Sequence, residues 1–362
     1  MIQTPKAAYI QTGDPPMKTP VKAVGLLSGG LDSTIAAAML MRQGIEIQGL
    51  TFYTGFCVVE HNRRTKTRKR KKPVHNEALQ AGAMLNVPIE MVDISGPDYL
   101  KVLTDPKYGY GSAVNPCIDC RIFMFIRAKE YMKEIGAQFI FTGEVLGQRP
   151  MSQRKQPMDI IERDADMEGL LLRPLSAKLL PPTVAEQKGW VDRAQLEDIS
   201  GRSRQAQMRL ANEYGIEDYP SPAGGCCFLT DKNFGRRILD FFEYRGKDNL
   251  TMDDVMLLKM GRHFRLTPDV KVVIGREEGE NKFMERYTSG RWKLETCDVT
   301  GPTTLVEGDP TEENLRLVAG MTARYAGVTD FSSARSTCWY NGEERVLETT
   351  PVDDAMLEAW RI

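Results

Sequence analysis

Two groups of residues in this 362-residue chain have the types and spacing to do chemistry. The first is Ser28-Gly29-Gly30-Leu31-Asp32-Ser33-Thr34. Glycines let a backbone turn tightly and aim its N–H groups at an anion. A helix starting there would add partial positive charge, and Ser28, Ser33 and Thr34 would add hydroxyl donors. Asp32 is out of place beside bare phosphate, so it requires a bridging cation, for which Mg2+ is the natural choice. The run lacks the Gly-Lys-Ser/Thr ending of a Walker loop and is not GxGxxG. Its plain structural alternative is a Ser/Asp-capped helix after a glycine turn.

The second group is cysteine. Cys117 and Cys120 form a CxxC, and Cys226-Cys227 follow far downstream in a GGCCF segment. Three thiolates, from Cys117, Cys120 and one remote cysteine, could hold a 4Fe-4S cluster and leave one iron open for sulfide. A helix N-terminus favours the thiolate, which would equally serve a persulfide relay. All four cysteines could instead close a structural zinc site, although adjacent residues are awkward ligands for one tetrahedral ion. Spacing alone leaves the three readings level. Cys57, Cys297 and Cys338 read as ordinary buried or surface thiols.

The phosphate-loop candidate needs a strand before it and a helix after it. Lys22–Leu27 is a short apolar run, Leu31–Arg42 is rich in Ala, Met and Leu, and Ile45–Tyr53 is a second strand pattern. Strand, glycine turn, helix, strand is a βαβ unit, which implies a parallel sheet. The alternation continues with Asn76–Leu85 as helix, Val87–Ile94 as strand, Arg121–Ile135 as helix and Ala137–Thr142 as strand. The fold class expected is therefore α/β, a doubly wound parallel sheet over 21–183. Residues 1–20 read as a loose tail, 184–255 as a mostly helical middle region carrying the third cysteine, and 256–362 as a small α+β domain with a helix near Glu312–Tyr325. Ligands of such sheets sit outside the carboxyl ends of the strands, where the turn after Leu27, the segment after Tyr53 and the segment after Thr142 all fall.

Composition bounds the rest. Hydrophobic content of 41% and charged content of 27% are ordinary for a globular chain able to bury a core. The net charge of −1 excludes a polycation, so nucleic acid would be held by local patches. No stretch reaches the ~20 apolar residues of a membrane span, and the N-terminal residues lack a signal-peptide apolar region. A cytoplasmic protein is expected, with its seven cysteines reduced or metal-bound rather than stapled.

SGGLDST resembles the signature of the PP-loop ATP pyrophosphatases, over roughly residues 21–180. The resemblance implies adenylation of a substrate oxygen with release of pyrophosphate. It places ATP and Mg2+ on Ser28, Gly29, Gly30, Asp32, Ser33 and Thr34, adenine at Leu50–Tyr53 including Phe52, and the Thr-Gly motif of the family at Thr142-Gly143. NPCIDCR resembles the NPxxxCN segment of bacterial tRNA 2-thiouridylases, and GGCCF their GxCF segment. By that match Cys120 and Cys227 fall on the family's two functional cysteines. Cys117 stands where many members carry Asp, a departure that favours metal coordination. The resemblance thus implies a 4Fe-4S cluster on Cys117, Cys120 and Cys227, with Cys226 as the spare ligand.

The run RRTKTRKRKK at 63–72 has eight basic residues in ten. Arg63, Arg64, Lys69, Arg70 and Lys71 could hold an RNA backbone near the second strand's carboxyl end; a solvated loop is the bland reading. His61 and His75 flank the run and receive no catalytic role. Residues 256–362 resemble the RNA-binding domain of the NFACT proteins, which makes His263, Arg265, Lys271 and Arg276 candidate RNA contacts. Arg324 and Tyr325 read as phosphate or stacking contacts, or as packing.

Together these resemblances imply a tRNA sulfurtransferase that forms 4-thiouridine, with 2-thiouridine as the neighbouring alternative. The expected partners are tRNA and a sulfur donor, either sulfide or a cysteine desulfurase, and no membrane. A homodimer is compatible, with one subunit binding tRNA and the other doing chemistry. The rivals are a PP-loop ligase or sulfurtransferase acting on a small molecule, and an RNA-binding protein regulated by ATP. The best-known 4-thiouridine synthetases carry an N-terminal THUMP domain; none is recognisable here, so the C-terminal domain is expected to take over its role.

Overall fold

The computed structural model describes residues 20–65, 76–217, 219, 227–328 and 333–362, without the side chains of 63–65. Cys226, His75 and the basic residues Lys69, Arg70 and Lys71 lie outside the described residues, as do the side chains of Arg63 and Arg64.

Five parallel strands form the first sheet: β1 (Lys22–Leu26), β2 (Glu46–Tyr53), β3 (Ile89–Asp93), β4 (Phe139–Thr142) and β5 (Leu171–Leu172). Their order is β3-β2-β1-β4-β5. The chain winds outward from β1 in both directions, so the switch point lies between β1 and β4. That is where such sheets hold ligands. The doubly wound expectation is met.

Helix α1 (Leu31–Arg42) begins at the glycine turn after β1. Leu31, Ile35, Ala36, Ala37, Met39 and Leu40 are all buried, so the helix is covered on more than one side. The second cover comes from α8, a helix of the middle region: its Leu210 and Ala211 share one core with α1, Phe139 and Phe141. A helix between two layers has no need of a polar face. Each fully buried Leu or Ile contributes about 1.5–3 kcal/mol.

The other helices of this half are α2 (Val58–Thr65), α3 (Glu77–Leu85), α4 (Pro97–Thr104), α5 (Cys117–Glu134) and α6 (Lys155–Asp164). Asn76 caps α3, its side chain accepting from Ala78 and Leu79 N–H. The middle region contributes α7 (Val184–Gln187), α8 (Gln205–Tyr214), α9 (Lys232–Arg245) and α10 (Met252–Leu258). It has no core of its own among the described residues. Its first part packs on α1. Phe234, Ile238 and Phe241 of α9 pack with Phe56, Tyr99, Leu100 and Val114 around the cysteine helix.

Six strands make the second sheet: β6 (Arg262–Thr267), β7 (Val270–Ile274), β8 (Trp292–Thr296), β9 (Thr304–Glu307), β10 (Ala334–Tyr340) and β11 (Glu343–Thr349). It runs β11-β10-β8-β9-β7-β6, with every pairing antiparallel. Helix α11 (Glu278–Met284) packs through Phe283 and Met284 against Val273, Leu305 and the Met256–Met260 segment. Helix α12 (Glu312–Tyr325) lays Leu315, Val318 and Ala319 on the sheet, and α13 (Asp354–Trp360) closes it with Leu357. The expected α+β character and the helix at 312–325 are both present.

Buried charge joins this domain to the middle region. Asp240 on α9 takes a bidentate pair from Arg265, at 3.0 and 2.7 Å, and a third contact from Lys271 at 3.0 Å. Lys259 Nζ donates to the carbonyl of Gly55 at 2.6 Å, tying the end of α10 to the loop after β2.

Candidate active site

The glycine turn sits at the carboxyl end of β1 and opens α1, as its sequence requires. Gly29 has φ +76°, and a Cβ there would lie 2.1 Å from the carbonyl carbon of Glu77, so only glycine fits. Gly143 is equally constrained: a Cβ would meet Ser33 N at 2.3 Å. The Thr142-Gly143 turn after β4 is therefore pressed against the start of α1, and the two glycine turns form one cradle.

Asp32 is the unfinished group in that cradle. One carboxylate oxygen accepts from Gln148 Nε2 at 3.1 Å. The other is buried, makes no hydrogen bond and has only Arg204 at 4.0 Å. Burial raises its pKa above the ordinary carboxylate value, against the hydrogen bond from Gln148 and the charges of Arg204 and Arg149. A half-buried carboxylate with one buried, unengaged oxygen at a helix start fits a divalent cation. These residues therefore fit Mg2+ with a nucleotide.

The neighbouring hydroxyls divide. Ser33 and Thr34 both donate back to Gly30 O, at 2.9 and 3.0 Å. Thr34 is buried, so it fastens the helix start instead of facing a ligand. Ser28 is exposed, with Gly30 N–H and Ser33 Oγ beside it at 3.4 and 3.5 Å. Phe52 is half-buried at the carboxyl end of β2, and Thr142 is buried. Gln148, Arg149 and Arg204 escape a reading of the sequence, because only folding brings a residue from the start of α8 to the turn after β1.

A buried ion network connects this cradle to the cysteine helix. Glu144, next to Gly143, pairs with Arg173 at 3.0 Å and with Arg121 at 3.3 Å. Arg173 also pairs with Glu162. Arg121 follows Cys120 directly, so the start of α5 is latched to the Thr142-Gly143 turn.

Helix α5 begins at Cys117, four residues earlier than the expected start, so the CxxC forms its first turn. Cys117 Sγ accepts from Asn115 Nδ2 at 3.1 Å, and the same amide touches Met151 Sδ at 3.4 Å. Cys120 Sγ lies 3.1 Å from the Tyr99 hydroxyl. Tyr99 is buried, and its pKa stands well above the usual phenol range, raised by burial and then by Cys120 and Cys227. Cys120 and Cys227 thus meet around one tyrosine. A helix N-terminus alone predicts an acidic thiol, but burial overrides it: the Cys120 pKa is raised, against Tyr99 and Arg121.

The three-thiolate set is not assembled. Among the described residues no three His, Cys, Asp or Glu side chains lie close enough together to hold a metal ion. Cys120 and Cys227 converge while Cys117 is held by Asn115. As placed, these residues do not fit a 4Fe-4S cluster. Cys57, read from sequence as an ordinary thiol, faces Cys227 across an antiparallel bridge. His61 is buried with its ring edge-on to Phe228 at 5.1 Å, which accords with a packing role.

The candidate RNA contacts also divide. His263 and Lys271 are 1% and 3% exposed, which removes them from any RNA surface; they belong to the junction between the middle region and the second sheet. Arg265 is spent on Asp240 and stacks on Tyr244 at 4.4 Å. Arg276 is exposed and keeps its place as a candidate. Arg324 pairs with Asp354, and the Tyr325 ring packs beneath Arg262 at 4.5 Å. Sequence reasoning missed a further surface: Trp292 and Tyr340 stack at 4.5 Å, with Arg345 over Trp292 at 4.9 Å.

A phosphate loop with a carboxylate at the switch point of a parallel sheet, followed by an antiparallel sheet domain, defines a two-part class. Residues 18–178 match the family described as Thiamine biosynthesis protein (ThiI). Residues 261–361 match the NFACT protein RNA binding domain. The first half of the chain is thus similar to the ThiI family and the C-terminal segment to the NFACT RNA-binding domain.

It is 29% identical over 163 residues to the probable tRNA sulfurtransferase of Thermococcus kodakarensis, covering 45% of this chain and 39% of that protein. It is 26% identical over 309 residues to the tRNA-specific 2-thiouridylase MnmA of Nostoc punctiforme, covering 83% and 75%. A solved 4-thiouridine synthetase–RNA complex with bound ATP aligns at 20% identity and a TM-score of 0.28, covering 54% of this chain and 52% of that one. The chain thus spans well under half the length of the first of these relatives. No helix among the described residues is long and apolar enough to cross a membrane.

Proposed function

We propose that this protein is an ATP-dependent tRNA sulfurtransferase that converts a uridine to a thiouridine, with 4-thiouridine as the preferred product. One observation supports the reading: the latch from Glu144 to Arg121 ties the glycine cradle to the helix turn that carries the half-buried Cys120. Adenylation and sulfur delivery have to occur at the same carbon, and this placement serves both.

In this reading ATP is a substrate. The backbone around Gly29 and Gly30 and the exposed Ser28 hold its phosphates, and Asp32 would hold Mg2+, which supplies charge neutralisation as pyrophosphate leaves. Arg149 and Arg204 add positive charge on the same side. Adenine sits against Phe52. The activated uracil carbon, carrying AMP as its leaving group, then accepts sulfur, and AMP departs. Sulfur reaches it either as free sulfide that attacks the activated carbon directly, or as a persulfide that a cysteine desulfurase has loaded on one of Cys120 and Cys227. In the second case the outer sulfur attacks the carbon, the other cysteine thiolate then attacks the inner sulfur, and thiouridine is released as a Cys120–Cys227 disulfide forms, which an external thiol reductant reopens. Burial raises the Cys120 pKa, which lowers the reactivity of its thiol. Stoichiometric iron and acid-labile sulfide in anaerobically prepared protein, lost in Cys117→Ser, would overturn the thiol route and restore the cluster.

Arg276 and the Trp292–Tyr340–Arg345 group are the proposed RNA contacts of the described C-terminal domain. Base stacking on aromatic rings beside arginine is the usual means of holding unpaired nucleotides. The basic run at 63–72 remains proposed as a backbone contact.

The test is nucleoside mass spectrometry after incubation of unmodified tRNA with the protein, Mg-ATP and sulfide. 4-Thiouridine is expected. 2-Thiouridine would keep the chemistry and change the carbon. No thionucleoside, with ATP binding intact, would overturn the reading in favour of a small-molecule PP-loop enzyme.

A further inference from the structure

We infer that Cys57 and Cys227 form a reversible disulfide, a covalent site that withdraws Cys227 from sulfur handling. The inference rests on the sulfurtransferase reading only for its consequence; the bond itself follows from geometry.

Cys57 and Cys227 are facing residues of an isolated antiparallel bridge. Phe228 N–H donates to Phe56 O at 2.9 Å, so the hydrogen bond flanks the cysteines and does not join them. That is the non-hydrogen-bonded register, in which facing Cα atoms approach to about 4.5 Å and Cβ atoms to about 4.5–5.5 Å. A disulfide needs Cα atoms about 4.4–6.8 Å apart, so the backbone is already within range and a small closure of the Cβ atoms suffices.

Neighbouring rings hold the two chains in this register. Phe56 is fully buried, 6.0 Å from Tyr99 and 6.1 Å from Phe234. Phe228 packs at 5.7 Å on the same Phe234. One phenylalanine flanks each cysteine, and both are fastened to α9. The rival partner, Cys120, sits on a different element with its sulfur against the Tyr99 hydroxyl. Cys57 and Cys227 are both half-buried, so a small oxidant can reach them.

The chemistry balances with a small-molecule disulfide such as oxidised glutathione as oxidant. One cysteine thiolate attacks a glutathione sulfur, forming a mixed disulfide and releasing one glutathione. The second thiolate attacks the protein sulfur of that mixed disulfide, forming Cys57–Cys227 and releasing the second glutathione. Two protein thiols are oxidised, one disulfide is reduced, and both protons end on glutathione.

The experiment treats the full chain with oxidised glutathione, blocks remaining thiols and maps linkages by mass spectrometry. A Cys57–Cys227 cross-linked peptide without a glutathione adduct is expected, reversed by dithiothreitol. In Cys57→Ser the facing thiol is gone, so Cys227 should accumulate the glutathione adduct, and a Cys120–Cys227 linkage forming there instead would overturn the inference; Cys227→Ser should leave the adduct at Cys57. Circular dichroism checks that each variant is folded, and either variant alone suffices. A Cys120–Cys227 linkage, or a stable adduct on Cys227 in the unmodified protein, would overturn the inference. The readout is independent of tRNA thiolation, so its failure and that of the functional reading are separable. Where thiolation is measured, oxidised protein should lose at least tenfold in thiouridine yield and regain it with dithiothreitol.

Discussion

The two sheets treat buried charge in opposite ways. At the junction with the second sheet, Asp240 is saturated: Arg265 and Lys271 between them give it three contacts of 3.0 Å or less. At the switch point of the first sheet, Asp32 is half-buried, yet one oxygen is buried with no hydrogen bond and its nearest cation stands 4.0 Å away. The pKa values follow. That of Asp240 is lowered, its burial outweighed by Arg265 and Lys271, whereas that of Asp32 is raised by burial. A completed ion cluster ties the second sheet to the middle region; the incomplete one at Asp32 is the place where the proposed function puts its cation.

Breaking the completed side should have the largest effect. Asp240→Ala leaves Arg265 and Lys271 buried without their counter-charge and should cost about 3–5 kcal/mol, read by denaturant unfolding. The same pair predicts an acid limb. A carboxylate with a lowered folded pKa contributes stability above its unfolded value, near 3.8, which is lost as pH falls through the folded value. Urea midpoints measured from pH 6 downward should drop there, and the drop should be missing in Asp240→Asn.

On the incomplete side, Asp32→Ala should lower thiouridine formation on the order of 100–1000-fold with little change in fold. Asp32→Asn sharpens the contrast. A carboxylate whose folded pKa is raised contributes stability below its unfolded value that is lost as pH rises through the folded one. Near neutral pH the ionised Asp32 therefore destabilises the nucleotide-free protein. Asp32→Asn should raise its Tm while abolishing stabilisation by Mg-ATP. A fall in the nucleotide-free Tm would show that Asp32 is as structural as Asp240.

Glu144→Gln should separate the two halves of the site. Losing a charge-assisted contact to Arg121 and Arg173 costs about 1.5–3 kcal/mol. It should also change the alkylation rate of Cys120, because Arg121 is freed to act on the thiol. An unchanged rate would mean that the latch carries no information between nucleotide and sulfur. The smallest effect is expected at Arg276. Arg276→Ala should weaken tRNA binding modestly and reduce the salt-dependence slope by about one, whatever the tRNA sequence.

Local order was legible in the sequence wherever one signal dominated its neighbourhood. The helices 31–42 and 312–325 were readable to the residue, since turn chemistry and apolar content agree there. The phosphate loop was legible because glycine spacing is a local backbone property. Charged residues of the second sheet were misread for the opposite reason: a lysine on a strand reads as surface unless its partner is known, and the partner of Lys271 lies on a helix 31 positions earlier.

The chain's own residues determined that a parallel sheet would carry a glycine turn opening a helix, that a cysteine pair would stand at the entry of a later helix, and that a second α+β unit would follow. These depend on hydrophobic period, glycine and capping, whose energies act within a few residues. Only tertiary structure decided that Asp32 would be half-buried with one oxygen unengaged, that Arg121 would latch onto Glu144, and that Cys57 would face Cys227. Those outcomes depend on desolvation and on approach between residues up to 170 positions apart, as Cys57 and Cys227 are, and neither quantity exists until the layers have packed.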